Sequence, residues 1–496
     1  MDYSTFLIWV SSILLLINLL QHARKKAKMP TLPPGPPPLP IIGNLFELGD
    51  KPHESLTELA KTHGPLMTLK LGSVTTVVVS SAAMAEEVLQ NKDRFLSGRK
   101  IVDATRALNF NESSMAWSQP NQYWRKLRAI SKTQLFSNQI LDAGQGLRHH
   151  KVRELIANML EKSAAREAVD IGKAAFVTAI NLIANSIFST NVVDMDSEFS
   201  NEFYSIVWGF MEESGKPNLV DYFPMLRPLD PQGVRRHMKA HLKKAFETID
   251  GMIDRRLLHG GTSTETTVTN DFLDALLDQN SGLTRQQARS LIWELFAAGS
   301  DTSSSTVEWA LTELLLNKNV MTKARSELKE TIGKRKVEES DIARLPYLEA
   351  IIKETLRLHP PAPLLLPRKA LSNVEIGGFT IQEDSLIFVN AWAIGRDPLT
   401  WENPTSFLPE RFLFSKHDFK RQHGFDLIPF GAGQRTCPGL PLASRMVHLM
   451  LASLLHSFAW ELPDGMAPED IDMSAKFGTT LKKRVPLRVI PAQEQW

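Results

Sequence analysis

A mainly α-helical body with small β-sheets, preceded by one N-terminal transmembrane helix, is the architecture this sequence predicts. Three observations carry that expectation. From Tyr3 to Ala23, His22 aside, no residue is formally charged, and the run is close to the roughly 20 apolar residues that a bilayer-spanning helix needs. Apolar residues recur at helical spacing over 144–162, 233–256, 284–316, 346–358 and 440–457. Strand-like runs are short and few: Leu66 to Leu71, Thr75 to Ser80, Val374 to Ile376 and Leu386 to Asn390.

The N-terminal run reads as an uncleaved signal anchor. A cleaved signal wants basic residues ahead of the apolar stretch, whereas here Asp2 precedes it and Arg24, Lys25, Lys26 and Lys28 follow. By the positive-inside rule the N-terminus then faces the lumen and the rest of the chain the cytosol. The expected location is the endoplasmic reticulum membrane, crossed once. Next comes Leu32-Pro33-Pro34-Gly35-Pro36-Pro37-Pro38-Leu39-Pro40, where proline forbids regular helix and a semi-rigid extended spacer is expected. The division is therefore 1–28 anchor and basic stop, 29–44 proline-rich hinge and 45–496 one catalytic domain. The Gly/Ser/Thr-rich segment from Gly260 to Asn270 is the best internal linker, but helical patterns resume on both sides of it.

Composition limits the chemistry. The chain has 496 residues, 43% hydrophobic, with one cysteine, so disulfide frameworks and multi-thiolate metal sites are excluded. Lys and Arg number 57 against 55 Asp and Glu, and the N-terminal bases account for the excess. A body so nearly neutral has no global field for nucleic acid.

The cysteine, Cys437, sits in Phe430-Gly431-Ala432-Gly433-Gln434-Arg435-Thr436-Cys437-Pro438-Gly439, ahead of the apolar run from Leu440. An isolated cysteine is ordinarily a small buried hydrophobe. Here two glycines allow a tight turn, and Pro438-Gly439 lead into a helix start whose free N–H groups favour negative charge on sulfur. Such a thiolate can ligate a metal or attack a substrate, and the residues alone leave both open. The spacing Phe-x-x-Gly-x-Arg-x-Cys-x-Gly resembles the haem-binding loop of the cytochrome P-450 family of haem-thiolate monooxygenases. The resemblance implies the cytochrome P-450 fold, haem b as cofactor, Phe430 and Arg435 in the cofactor loop, and Cys437 as the axial iron ligand.

Further motifs stand upstream in the family's order. Ala298-Gly299-Ser300-Asp301-Thr302 lies inside the helical stretch that opens with a capping box at Thr284 and Gln287. The hydroxyl-rich run from Ser300 to Thr306 is a poor helix former whose hydroxyls compete for backbone carbonyls, and the resemblance implies a local opening of the helix there that would admit water. The resemblance gives Thr302 and Asp301 the catalytic roles of holding bound oxygen and relaying protons. Glu354-Thr355-Leu356-Arg357 and Pro409-Glu410-Arg411-Phe412 resemble the family's charged structural network of Glu354, Arg357 and Arg411. Trp124 and Arg128 match its W-x-x-x-R helix and, with Arg368 and Arg435, are expected at the haem propionates, where guanidinium gives paired donors. Other patterns are weaker: His237 and His241 have zinc-ligand spacing but are surrounded by Arg235, Arg236, Lys239, Lys243 and Lys244.

The resemblance extends over essentially the whole chain and is greatest to plant terpenoid-hydroxylating members, through stretches such as Gly215 to Asp221, Val307 to Ala310 and Asn390 to Asp397. The positions it assigns to substrate are Phe110, Trp117, Trp208, Phe210, Leu291, Leu295, Ala298, Leu364, Leu365, Leu366, Phe477 and Thr479. They offer no fixed cation, so a small apolar substrate is expected, a terpenoid first and an aromatic molecule second. Electrons would come from NADPH through NADPH cytochrome P-450 reductase, docked where Lys126, Lys132, Lys420 and Arg421 make a basic patch. Two other functions stay open at this point: a haem-thiolate isomerase or dehydratase working without reductase, and a haem-binding sensor without turnover.

Overall fold

The computed structural model describes residues 32–195, 197–260, 271–415, 417–419 and 424–494. The apolar N-terminal run with its basic stop, most of the Gly/Ser/Thr-rich segment, and Lys420 and Arg421 lie outside the described residues. The long helices are α1 (Pro52–His63), α2 (Gln122–Gln134), α3 (Gln145–Ala165), α4 (Ile171–Phe188), α5 (Glu198–Gly215), α6 (Val234–Gly260), α7 (Arg285–Leu316), α8 (Lys318–Ile332), α9 (Pro346–Leu358) and α10 (Leu440–Ser457). All five helices expected from periodicity are present, with ends within a few residues. The strands used below are β1 (Leu66–Leu71), β2 (Val74–Val79), β3 (Gly98–Arg99), β4 (Arg368–Lys369), β5 (Leu386–Val389), β6 (Ala475–Phe477) and β7 (Leu481–Lys483).

Five strands make the largest sheet, in the order β1-β2-β5-β4-β3. Its pairs are antiparallel except β2 with β5, which run parallel with Val79 opposite Val389. Residues 32–38 of the proline-rich stretch have no regular secondary structure and lie against β1. The Thr68 N–H donates to the Pro34 carbonyl at 2.8 Å, and the Asn44 side chain donates to the Pro36 carbonyl at 3.3 Å. Backbone carbonyls that proline leaves without local partners are satisfied by the sheet, and the segment docks on β1.

The core centres on α7. Its N-terminus carries the capping box: Gln287 N–H donates to Thr284 Oγ1 at 3.3 Å, and Thr284 N–H to Gln287 Oε1 at 2.9 Å. Against it lies α4, buried except for Lys173, Asn185 and Ser186. A helix enclosed on every side shows no amphipathic stripe, which is why α4 escaped the periodicity reading. Gly299 of α7 permits the close approach, because a Cβ there would press on Ile183 Cδ1. The opening expected near Ser300 is not seen: α7 runs unbroken for 32 residues. Its hydroxyls instead return to the helix, with Ser300 donating to the Phe296 carbonyl at 2.6 Å and Thr302 to the Ala298 carbonyl at 2.7 Å. These bonds occupy the side chains without removing a rung of the ladder.

Candidate active site

The cysteine loop connects a turn at Gly433–Arg435 to α10. Gly433 has φ of 68° and its missing Cβ leaves room for the Leu89 carbonyl, so no other residue fits without displacement. Asp93 fixes the turn from below: one carboxylate oxygen accepts the Gln434 N–H at 2.7 Å and the other accepts Arg368 at 2.6 Å. The Cys437 N–H donates to the Phe430 carbonyl at 3.0 Å. The sulfur is met by the N–H groups of Gly439 and Leu440 at the start of α10.

Burial nonetheless dominates and pushes the Cys437 thiol above its ordinary value, with those N–H groups and Arg128 offsetting it only in part. The N–H groups at the helix start act in the direction expected from the motif, favouring negative charge on the sulfur.

Above the loop lies a cavity of about 330 Å³. Cys437, Phe430 and Gly439 form one wall and α7 the facing one, through Leu295, Ala298, Gly299, Thr302 and Thr306. Those α7 positions recur at helical spacing and form one face. Asp301 is off that face, 2% exposed, and its carboxylate accepts the Thr480 hydroxyl at 2.5 Å. Burial raises its pKa.

One end of the cavity is rich in arginine. Arg128, Arg368 and Arg435 reach its wall with Trp124, and so does Arg99, which the motifs did not reveal. Burial, then Arg368 and Arg128, lower the Arg435 pKa to about 9. Arg99 is likewise pulled well below its usual range by burial and by Arg435 and Arg368. Asp93 is the acid in contact with this group, at 2.6 Å from Arg368. The excess of buried positive charge points to an anionic group at this end. A thiol on one wall, α7 on the other and guanidinium groups gathered at one end together fit haem with its propionates. Trp124 Nε1 itself donates to the Met115 carbonyl at 3.1 Å, which Arg435 also approaches at 3.4 Å. The tryptophan therefore braces the roof segment, the backbone of residues 114–116, of which Met115 and Ala116 border the cavity.

Glu294, one turn before Ala298, also borders the cavity and was not anticipated. Its carboxyl accepts the Ser114 hydroxyl, the Met115 N–H at 2.6 Å and the Ala116 N–H at 3.1 Å. Burial raises its pKa to about 7 against those donors.

The Glu354 network lies on the far side of α9, whose Ile352 and Leu356 face the cavity. Arg357 meets both Glu354 oxygens at 2.7 Å, and Arg411 meets one at 3.0 Å. Glu354 and Arg357 are fully buried, and the remaining Arg357 donors go to the Gly395, Pro404 and Ser406 carbonyls.

Of the positions assigned to substrate, Leu295, Ala298, Leu365, Leu366 and Thr479 border the main cavity. Trp117, Leu364 and Phe477 border a second cavity of about 100 Å³ that shares Leu365, Leu366 and Thr479 with the first. Phe110, Trp208, Phe210 and Leu291 are not on either wall. Phe110 stacks edge-on against Phe210 at 5.5 Å, and Leu291 is fully buried beside Trp293 in α7, so both belong to the core behind that helix. His237 stands 3.4 Å from Glu213, and no group of three metal-binding side chains occurs among the described residues.

The family model described as Cytochrome P450 matches residues 33–487. The chain is 48% identical to geraniol 8-hydroxylase of Catharanthus roseus over 99% of its length and 100% of that protein's. It is 49% identical to geraniol 8-hydroxylase of Swertia mussotii, covering 99% of each. Drimenol monooxygenase of Persicaria hydropiper is 47% identical, over 99% of this chain and 97% of its own.

Proposed function

Since this chain belongs to the cytochrome P450 family and is a cytochrome P450 monooxygenase, with the haem-iron cofactor that the family implies, we propose that it hydroxylates a small apolar terpenoid. The observation that carries the substrate class is the apolar wall of Leu295, Ala298, Leu365 and Leu366 facing Cys437, with no cation among them. Such a wall selects by shape and desolvation, since a charged substrate would lose its hydration without a partner. The names of the relatives, two geraniol hydroxylases and a drimenol monooxygenase, agree with that class.

The cofactor is haem b, which when bound supplies the activation of dioxygen. The reaction consumes dioxygen, NADPH and a proton and yields the alcohol, water and NADP⁺. Each side chain then has a task. Cys437 offers its sulfur as the iron ligand, and Phe430 packs beside it. Arg128, Arg368 and Arg435 would hold the propionate end, where the clustered guanidinium groups carry more positive charge than Asp93 balances, and Trp124 braces the adjoining backbone through the Met115 carbonyl. Thr302 lines the cavity from α7 with its hydroxyl donating to the Ala298 carbonyl, which leaves its oxygen to accept there, and Asp301 is the buried carboxyl that would relay protons. Glu354, Arg357 and Arg411 keep α9 in place under the cavity floor.

NADPH cytochrome P-450 reductase delivers the electrons, with Lys126 and Lys132 on α2 as part of its basic docking face. A single membrane anchor ahead of residue 29 keeps the catalytic body, 45–496, on the cytosolic side of the endoplasmic reticulum. The deciding experiment reconstitutes the full chain with reductase and NADPH and offers geraniol, a drimane alcohol and simple phenols. Hydroxylated terpenoid formed only with NADPH supports the proposal. Turnover confined to phenols overturns the substrate class, and rearrangement of an organic hydroperoxide without reductase overturns the reaction type.

A further inference from the structure

Asp301 and Thr302 are neighbours on α7, so their side chains leave the helix about 100° apart. Thr302 borders the cavity, whereas Asp301 points to the hairpin of β6 and β7. Among the described residues, Thr480 is the side chain that hydrogen-bonds the Asp301 carboxyl. Lys482 stands near but is engaged elsewhere: its Nζ lies 3.7 Å over the Trp208 ring and 3.4 Å from the Tyr204 hydroxyl.

The hairpin tip that carries Thr480 is held by backbone contacts on three elements. Thr479 N–H donates to the Met211 carbonyl of α5 at 2.9 Å, and Leu481 N–H to the Pro361 carbonyl at 2.7 Å. The Leu481 carbonyl accepts Ser305 of α7 at 3.3 Å. Gly215 closes α5 without a side chain, because a Cβ there would overlap the Gly478–Thr479 backbone. The tip is therefore rigidly seated. Thr479 and Thr480 both border the main cavity, so one short turn touches the cavity and the acid together.

We propose that Thr480 is a positioning residue for Asp301, its hydroxyl fixing the orientation of the carboxyl and tying it to the hairpin tip of the cavity wall. This deepens the reading above and rests on Asp301 supplying protons. A carboxyl with one side-chain partner takes its direction from that partner, and a loose carboxyl delivers its proton with less certainty than a held one. In this arrangement the hairpin sets the geometry of proton supply as well as the shape of the cavity.

The test uses the haem-loaded full chain as wild type, Thr480→Val, Thr480→Ser and Asp301→Asn. The first readout is infrared: the carboxyl band of Asp301, identified by its loss in Asp301→Asn, shifts in Thr480→Val and returns in Thr480→Ser. The second is product formed per NADPH with geraniol. It falls about tenfold in Thr480→Val, the change expected for one lost hydrogen bond of ordinary strength, with hydrogen peroxide rising in step. If Thr480→Val does not accumulate, Thr480→Ala serves the same comparison. An unshifted Asp301 band in the variant lacking the hydroxyl overturns the positioning role. Unchanged product yield in Asp301→Asn overturns the proton-supply reading instead, and the infrared result still judges the contact.

Discussion

Asp93 and Arg368 meet at 2.6 Å, both nearly inaccessible to solvent, and the same carboxylate accepts the backbone N–H of Gln434 in the cysteine loop. One acid thus holds an arginine of the cavity and the turn that carries the ligand sulfur. Replacing it removes the one carboxylate in contact with Arg368, beside Arg99 and Arg435. Asp93→Ala is expected to lose about 3–5 kcal/mol of stability, measured by thermal unfolding, and to retain less haem per chain. Unchanged haem content would place the anchor of the loop elsewhere.

Removal of the thiol gives the cleanest outcome, because no other thiol exists to take its place. Cys437→Ala is expected to lose the red-shifted absorption band that a thiolate-ligated iron gives with carbon monoxide. Persistence of that band in purified protein would falsify the ligand assignment.

Breaking the Glu354 network strands two guanidinium groups, one of them fully buried. Glu354→Ala is expected to cost about 3–5 kcal/mol and to yield chains that do not take up haem at all. Slower turnover from a fully loaded variant is the result that would sink this expectation.

Stability should also depend on pH through Glu294, whose pKa burial raises to about 7 in the folded chain. Glu308 and Asp221 are raised to about 7 in the same way, again chiefly by burial. A carboxyl with a raised folded pKa binds its proton more tightly folded than unfolded. The contribution of these three groups is then greatest in acid, falls as pH rises from the ordinary carboxylate range toward 7, and levels off above it. Each group contributes a slope of up to about 1.4 kcal/mol per pH unit inside that window. Unfolding midpoints of Glu294→Gln across the window should decline less steeply than those of wild type. Equal slopes would remove Glu294 from the account.

The helices whose ends carry chemical marks were readable in advance. The Thr284–Gln287 capping box and the sustained apolar stripe of α7 are local features, and so are the proline and glycine that introduce α10. By contrast α4 is apolar on all faces, and its identity as a helix follows from what surrounds it. The site divides on the same line. Cys437 and the Glu354–Arg357 pair belong to short patterns, whereas Asp93 and Arg99 are single charged residues in a one-turn helix and a brief strand, brought to the cavity only by folding. Glu294 did leave a trace, being an acid inside the apolar run Trp293-Glu294-Leu295-Phe296. An isolated charge at a core position of a helix asks for buried donors, and the roof segment provides them. The direction of Asp301 was available from helix geometry, but its partner Thr480 was not.

The parallel pairing of β2 with β5 has a consequence for biosynthesis. Val79 leaves the ribosome about 310 residues before Val389, an interval of roughly 15–60 s at ordinary elongation rates. During that time the hairpin of β1 and β2 displays an unsatisfied apolar edge, the kind of surface that recruits chaperones or mispairs with neighbouring chains. The yield of folded enzyme should therefore respond to translation speed between these two strands more than to speed after the second.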